Sequence, residues 1–551
     1  MPIRCLVALF LAPFAVAASP PNILLVVSDD HSYPFLGCYG RPEMKTPQLD
    51  RLAAEGIKFR RMFTAAPQCV PSRAALLTGR SAVACRITRF SSPLPRDEIT
   101  FPEILKAEAN YFVGVCGRSY HLDGSSRGPA ETDAVFEDHQ LRTFHERFDF
   151  VDASGQENVP TRMTAFFDQR PADKPYFLWV NFSDPHHPWT TGENPPDPAS
   201  LEVPGYLPDL PGVRQDLSLH EGEIEHCDSD FGRVLEIVKK RAGLENTLVL
   251  FVGDNGMAFP GGKGSLRDPG LNVPLLAWWP GVIPAGGDSS ALISGEDLAP
   301  TCLEAAGLTP PERISGISFL PLLKGHDFPA ERRHLFAERG PHGSATFTLN
   351  TAASAVDYSR CVRSAHHKLI YNVTPHQRYA PVDSAGNPGW KDILAAHEAG
   401  TLAAPFVTSW FTLPRPVYEL YDLDQDPHEL NNLYGTQGTE AITLELKNVL
   451  QKKMILDFDY LPLPLPGDPK KKPSAAAKST PSDQVSRAEQ FKKLDTNGDG
   501  QLSFEEFSVK RSPADAKAWF QARDINQDGV LDPTEYTASR VPNPPKSSQP
   551  K

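Results

Sequence analysis

The chain has 551 residues, of which 40% are hydrophobic and 22% charged, and it carries a formal net charge of −13 at pH 7. An acidic balance of this kind provides no concentrated basic surface for phosphate backbones, which excludes nucleic acid as the partner and requires any anionic ligand to be met by local cations. The length suits a large core with an appendage better than one small domain, and 54 prolines point to many loops.

Residues 1–18 combine an early Arg4, an apolar run from Cys5 to Ala17 and the small-residue pattern Ala15-Val16-Ala17. This reads as a signal peptide removed on export, because the run is short for a bilayer span and is broken by Pro13. No later segment is long and apolar enough to cross a membrane, so the expected location is secreted or periplasmic. Seven cysteines remain after export (Cys38, Cys69, Cys85, Cys116, Cys227, Cys302 and Cys361), with no CxxC spacing for zinc or a redox dithiol. An odd count in an oxidising compartment singles out one thiol. If Cys69 is that thiol, the other six either pair or lie buried.

Four apolar runs each end in a polar cluster. Asn22 to Ser28 leads into Asp29-Asp30-His31, and Tyr111 to Gly117 into Arg118-Ser119-Tyr120-His121. Tyr176 to Phe182 leads into "SDPHHPW", and Thr247 to Gly253 into Asp254-Asn255-Gly256. Continuous rather than alternating apolar runs predict strands covered on both faces, as in a parallel α/β sheet. Helical patterns lie between them, in "TPQLDRLAAEGIKF" and "EIEHCDSDFGRVLEIVKKRAG". Ligands of open α/β sheets bind beyond the carboxyl ends of the strands, where all four clusters fall. Asp29, Asp30, Asp254 and Asn255 then offer three carboxylates and an amide oxygen, the ligand chemistry of a hard cation such as Ca²⁺ or Mg²⁺. Each pair taken alone is equally consistent with a helix cap or a turn.

Cys69 precedes Pro71 and the helical run "SRAALLTGR", which predicts a helix beginning near residue 69. Backbone N–H groups and the helix dipole favour an anion there. Cys69-Val70-Pro71-Ser72-Arg73, followed by Leu77-Thr78-Gly79-Arg80, resembles the signature of the type I sulfatases, in which the cysteine is converted to formylglycine. The segment from Val417 to Leu433, "VYELYDLDQDPHELNNL", resembles the C-terminal signature of the same family. The resemblance implies an alkaline-phosphatase-like α/β/α sandwich with a smaller C-terminal α+β subdomain. It further implies one Ca²⁺ held by Asp29, Asp30, Asp254, Asn255 and the modified residue 69. Arg73 would hold the hydrated aldehyde and His121 would act beside it as an acid or base. His186 and Lys263 match the sulfate-binding and leaving-group side, His187 being the less favoured of the adjacent histidines. Arg118 stands where the family has a lysine; the cation is kept, but a planar guanidinium is not equivalent to an ammonium.

The implied activity is a sulfuric ester hydrolase acting on a sulfated polysaccharide or oligosaccharide, with the formylglycine-generating enzyme as a partner during maturation. "SDDHSYPFLGCYG" and "GRSYH" resemble iduronate-2-sulfatases, whereas "GDNGMAFPGGKGSL" and "NPGWKDI" resemble heparan N-sulfatases (sulfamidases) more closely. Two alternatives stand beside this reading. One is a phosphatase or phosphodiesterase of the alkaline phosphatase superfamily; the other is a non-catalytic, calcium-dependent glycan-binding protein with Cys69 unmodified.

Residues 461–483 are rich in Pro, Ala and Lys and read as a linker. Two 12-residue loops follow. Asp495, Asn497, Asp499, the Gln501 carbonyl, Ser503 and Glu506 fill the ligand positions of an EF-hand, as do Asp524, Asn526, Asp528, the Val530 carbonyl, Asp532 and Glu535. Gly500 and Gly529 stand at the sharp turns, and the terminal Glu of each loop favours an EF-hand pair over a dockerin-like repeat. Each loop is expected to bind one Ca²⁺, and Phe491, Leu494, Phe507, Trp519 and Phe520 are expected to form a small core. The expected organisation is a signal peptide at 1–18, a catalytic domain at 19–345, its subdomain at 346–460, the linker at 461–483, an all-α EF-hand module at 484–540 and a disordered tail at 541–551.

Overall fold

The computed structural model describes residues 19–87, 90, 92–124, 130–190, 192, 194–328, 332–342, 356–464, 489–509, 513–524 and 526–537. The expected signal peptide, the 345/346 junction, most of the linker and the tail lie outside the described residues. The chain divides into two compact units, Met1–Pro466 and Gly467–Lys551.

The first unit is built on a nine-stranded sheet ordered β4-β3-β5-β1-β6-β7-β2-β8, with β9 paired to β2. Its strands are β1 (Asn22–Ser28), β2 (Ile57–Phe63), β3 (Phe112–Gly117), β4 (Phe150–Val151), β5 (Tyr176–Asn181), β6 (Thr247–Gly253), β7 (Asn272–Trp278), β8 (Gly287–Ser289) and β9 (Ile293–Ser294). The four expected strands are β1, β3, β5 and β6, and they are mutually parallel where paired. Their unbroken apolar character has a direct cause in β1: Ile23, Leu25 and Val27 enter one core, while Leu24 and Val26 enter another on the opposite face. Helices Cys69–Thr78, Phe101–Ala109 and Leu298–Ala305 pack on the first face, and Pro47–Glu55, Val159–Gln169 and the long Pro211–Arg241 on the second. This is the α/β/α sandwich.

Two local expectations change. The sheet is mixed, because β7 runs antiparallel to both β6 and β2. The segment joining β6 to β7 holds only the short helix Asp268–Leu271, and an antiparallel neighbour needs no crossover helix. The helical pattern "TPQLDRLAAEGIKF" also stops early: the helix ends at Glu55, and after Gly56 the residues Ile57–Phe63 form β2. A Cβ on Gly56 would lie 2.1 Å from the Ala277 carbonyl oxygen, so only glycine lets the chain turn this close to β7.

The four-stranded antiparallel sheet comprises β10 (Leu335–Arg339), β11 (Ser359–Arg363), β12 (His367–Asn372) and β13 (Tyr418–Asp422). One face packs Ala337, Cys361 and Ile370 against Phe63, Leu266 and Leu271 of the main body. The other packs Val362, Leu369 and Leu420 against Leu446, Leu450 and Met454 of helix Glu440–Leu456. This is the smaller α+β subdomain. The seven cysteines of the described residues are free thiols, and every one except Cys38 is buried.

In the second unit, Leu502 and Leu531 pair as an antiparallel bridge between the two loops. Gly500 and Gly529 adopt φ of 82° and 86°, which a side chain resists. Their N–H groups donate to Asp495 Oδ2 and Asp524 Oδ2 at 3.0 and 3.1 Å, wrapping each loop around its first acid. The core holds Phe491, Phe507 and Phe520 as expected, but Tyr536 occupies the place proposed for Trp519. Trp519 lies outside, with the Arg523 guanidinium 5.7 Å above its ring.

Candidate active site

The register of β1 against β6 sets Ser28 opposite Gly253, so the acid pair that follows β1 lies beside the Asp254-Asn255 pair that follows β6. Asp30 holds a left-handed φ of 64°, uncommon outside glycine, and its N–H donates to Asp254 Oδ1 at 3.0 Å. Gly256 completes the turn, because a Cβ there would meet the Pro269 carbonyl oxygen at 2.0 Å. Asp29, Asp30, Asp254 and Asn255 are all fully buried.

The third contributor is helix Cys69–Thr78, which starts at Cys69 after Gln68 and ends at Gly79, with Pro71 in its first turn. It aims the Cys69 thiol into the acids: Sγ is 3.2 Å from Asp29 Oδ1 and 4.0 Å from Asp30 Oδ1. Ligand atoms of Asp29, Asp30, Cys69 and His186 all fall within 4.8 Å of one another, the one such grouping among the described residues.

Cations surround the cluster. Lys263 Nζ lies 2.8 Å from Asp30 Oδ1, and Arg118 lies 2.8 Å from Asp29 Oδ2 and 3.4 Å from His186 Nε2. Arg73 commits its guanidinium to Asp254 Oδ2 at 2.9 Å, Asp29 Oδ2 at 3.1 Å, Asn181 Oδ1 at 3.0 Å and the Arg118 carbonyl at 2.9 Å. Its N–H groups thus meet the two carboxylates, an amide oxygen and a carbonyl beside Cys69. His121 sits in the short turn Tyr120–Asp123, buried near the ring of Phe90. His187 turns away to pack edge-on against Trp189.

Burial and charge set the ionisation. Burial raises Asp30 to about 8 despite Lys263, and raises Asp254 to about 6 with Asp29 adding to the rise. Burial also pushes Asp29 up, yet Arg118 and Arg73 bring it well below the usual carboxylate range. His121 and His186 are held well below the usual imidazole value, chiefly by burial and then by neighbouring cations. They rest neutral, whereas Lys263 is held well above the usual ammonium value by Asp30 against the effect of burial. Burial and Asp29 keep the Cys69 thiol protonated.

The donor set fits a hard cation. Asn255 Nδ2 donates to Asp30 Oδ1 at 2.8 Å, while its buried Oδ1 has no hydrogen-bond partner. An oxygen left unsatisfied beside three buried carboxylates is what a Ca²⁺ ligand looks like before the ion is counted.

The sequence reading missed three neighbours. Asn181, at the end of β5, orients Arg73; its position at a strand's carboxyl end was the available signal. Asp383 Oδ2 lies 2.7 Å from Lys263 Nζ and 3.9 Å from His186 Nε2, and His342 Nε2 lies 3.5 Å from Asp383 Oδ1. Neither Asp383 nor His342 belongs to a motif. An open cleft of about 550 Å³ borders the cluster through Arg118, His186 and Asp383.

Residues 21–308, more than half of the chain, match the Sulfatase family model. The chain belongs to the sulfatase family. Residues 262–403 match the model described as N-sulphoglucosamine sulphohydrolase, C-terminal, and residues 487–509 and 516–538 match EF hand. Human N-sulphoglucosamine sulphohydrolase is 28% identical over 503 residues, covering 81% of this chain and 92% of that protein. An ulvan-active sulfatase of Formosa agariphila is 28% identical over 479 residues, covering 81% and 76%. Among solved structures, BT4656 in complex with its substrate D-glucosamine-2-N,6-O-disulfate shares the fold with a TM-score of 0.59 and 19% identity, over 80% of this chain and 99% of that one. The phosphonate monoester hydrolase of Agrobacterium radiobacter does so with a TM-score of 0.57 and 20% identity, over 79% and 96%. As a sulfatase the chain is a sulfuric ester hydrolase, and both its sulfatase and EF-hand regions are consistent with calcium binding. No helix of the described residues is long and apolar enough to cross a membrane.

Proposed function

We propose that this sulfatase is exported, carries formylglycine at position 69 and removes a sulfate from a heparan-type glycan, with an N-sulfate on glucosamine as the preferred group. The observation that carries the reading is the Cys69 side chain at the head of its helix, within reach of Asp29, Asp30 and His186. The sulfamidase preference is supported by the match of residues 262–403 to the N-sulphoglucosamine sulphohydrolase C-terminal model and by the likeness to the human enzyme over most of its length.

Asp29, Asp30, Asp254 and Asn255 would hold Ca²⁺ together with residue 69. The bound ion would polarise the sulfate oxygens and favour the ionised hydroxyl of the hydrated aldehyde. Formylglycine at position 69, hydrated by one water, would supply a geminal diol as nucleophile, with a second hydroxyl to release the sulfate and restore the aldehyde. The remaining work falls to side chains. Arg118 and Lys263 would face a sulfate with fixed positive charge, which stabilises charge moving toward the leaving group. Lys263 is the charged donor on the leaving-group side, and His186, whose pKa is lowered by burial and by Lys263, is a hydrogen-bonding partner beside it. Arg73 holds Asp29 and Asp254 in place.

The test is the mass of the tryptic peptide Met62–Arg73 from protein produced in its own host, followed by turnover of N-, 2-O- and 6-O-sulfated sugars. Loss of sulfur and gain of an aldehyde oxygen at residue 69, with fastest release from the N-sulfated sugar, is expected. An unmodified Cys69 with binding but no turnover would move the calcium-dependent binding protein to the front.

A further inference from the structure

Acids outnumber fixed cations in the described lining of the cleft beside the cluster. Its described lining holds one guanidinium, Arg118, and two imidazoles, His186 and His187, against three acids, Asp184, Glu223 and Asp383; the rest is Ala153, Ser154, Gly155, Ser183, Pro188 and Thr190. Asp184 and Glu223 are buried in the wall. Asp184 accepts from Gln156 and His226, and Glu223 from the Thr190 N–H. Asp383 differs in that 30% of its side chain is exposed. Its carboxylate is held at a defined place by Lys263 at 2.7 Å and His342 at 3.5 Å, on a backbone with φ of 62°. Burial pushes that carboxyl up, but Lys263 and His342 keep it well below the usual range, so it faces the cleft as an anion.

We propose that Asp383 is a specificity-determining residue, selecting a sulfated sugar that presents hydroxyl or amino donors next to the scissile sulfate and rejecting one that presents a second anion there. The fixed cation in the described lining is Arg118, paired with Asp29, and the buried Lys263 behind Asp383 is paired with Asp30 and with Asp383 itself. Arg118 can meet the scissile sulfate but has little left for another negative group. An exposed, ionised carboxylate accepts two or more hydrogen bonds from sugar O–H or N–H groups. The same carboxylate repels a uronate or an adjacent sulfate, and such like-charge juxtaposition is a common source of discrimination. The cleft volume falls within the range of small-ligand sites, which suits recognition of one or two sugar units rather than a long polyanion tracked along a basic groove. This inference rests on the proposed sulfatase reading and narrows its substrate to amino sugars without a neighbouring charge.

The test is calorimetric binding to the calcium-loaded full chain with Cys69 left unconverted, so that no turnover is needed. The ligands are glucosamine N-sulfate, glucosamine 6-O-sulfate, the 3-O-sulfated form of glucosamine N-sulfate, and a 2-O-sulfated uronate. Asp383→Asn is the variant, because asparagine tolerates the left-handed backbone and keeps the size. Wild type should bind glucosamine N-sulfate at least tenfold tighter than the 3-O-sulfated form and the uronate, and the variant should cut that ratio to about threefold or less. If the variant weakens every ligand equally, or wild type binds the 3-O-sulfated sugar or the uronate as tightly, Asp383 is only a structural partner of Lys263 and the proposal is wrong. Binding of the 6-O-sulfate with none of the N-sulfate, and a ratio against the anionic ligands that still collapses in the variant, supports the charge rule while overturning the sulfamidase preference. Binding of none of the four counts against both.

Discussion

Among the described residues, replacing Arg73 by methionine removes the one cation paired with Asp254 and one of the two paired with Asp29. Both carboxylates are fully buried, and Asp29 keeps Arg118 at 2.8 Å. Asp254 therefore bears the damage. It retains hydrogen bonds from the Asp30 and Asn255 backbone N–H groups, at 3.0 and 2.7 Å, but no countercharge in direct contact. Breaking a buried pair by deleting one partner costs about 3–5 kcal/mol, because the remaining charge stays desolvated. A bound calcium ion would supply two positive charges to the same oxygens, so the loss should be largest in chelator and less than half as large in saturating calcium. The sign with pH follows from Asp254, already raised to about 6 by burial. Removing Arg73 raises it further, the folded state then binds a proton the unfolded chain does not, and the variant loses stability as pH rises from the unfolded carboxylate value through the raised one. Guanidinium unfolding followed by tryptophan emission reports this unit, since Trp519 is the only tryptophan beyond residue 466. A loss below about 1 kcal/mol in chelator, or an equal loss with and without calcium, would refute the assignment of Arg73 as the countercharge of the metal-side acids.

Three further outcomes are expected. Lys368 Nζ is fully buried between Asp268 and Glu429, 2.7 Å from the latter, and Asp268 closes the loop that carries Lys263. Lys368→Met should destabilise by about 3 kcal/mol or more and slow turnover, and adding Glu429→Gln should recover much of the stability; a double variant no better than the single would show that the charge is not the cause. His226 donates to Asp184 at 2.6 Å, and this hydrogen bond raises its pKa. Its stabilising contribution is therefore complete below the unfolded histidine value and fades as pH rises through the folded one, and His226→Gln should remove that slope from the pH–stability curve between about 6 and 8. In the second unit, Glu506→Gln and Glu535→Gln should each lower the calcium stoichiometry of the full chain by one in equilibrium dialysis while leaving sulfate release intact. A stoichiometry unchanged by either substitution would remove that loop from the ion-binding set.

Much of the site could be read from the chain because its parts are local. Asp29-Asp30 and Asp254-Asn255 each follow an apolar run directly, and the carboxyl ends of the neighbouring parallel strands β1 and β6 share an edge, so the two pairs meet in space. The Cys69 motif is contiguous within one helix. Asp383 and His342 had no such advantage: they belong to loops more than 70 residues beyond Lys263 in the chain, and nothing in their neighbours' identities announces the contact. The role of Arg73 shows the same limit, since a motif gives the residue but not which of four acceptors its guanidinium meets.

The amino-acid sequence alone determined the covered strands, the family, the acid pairs and the EF-hand loops, because each is encoded in apolar periodicity or in short contiguous motifs. Tertiary structure alone decided that β7 reverses direction and that Trp519 leaves its core to Tyr536. It also decided that the six remaining thiols are unpaired, five of them buried and Cys38 half-buried, and that a carboxylate from residue 383 reaches the cleft beside Lys263. Those outcomes depend on which surfaces meet when distant segments pack, a choice made by shape and burial across the whole molecule and written in no single stretch of it.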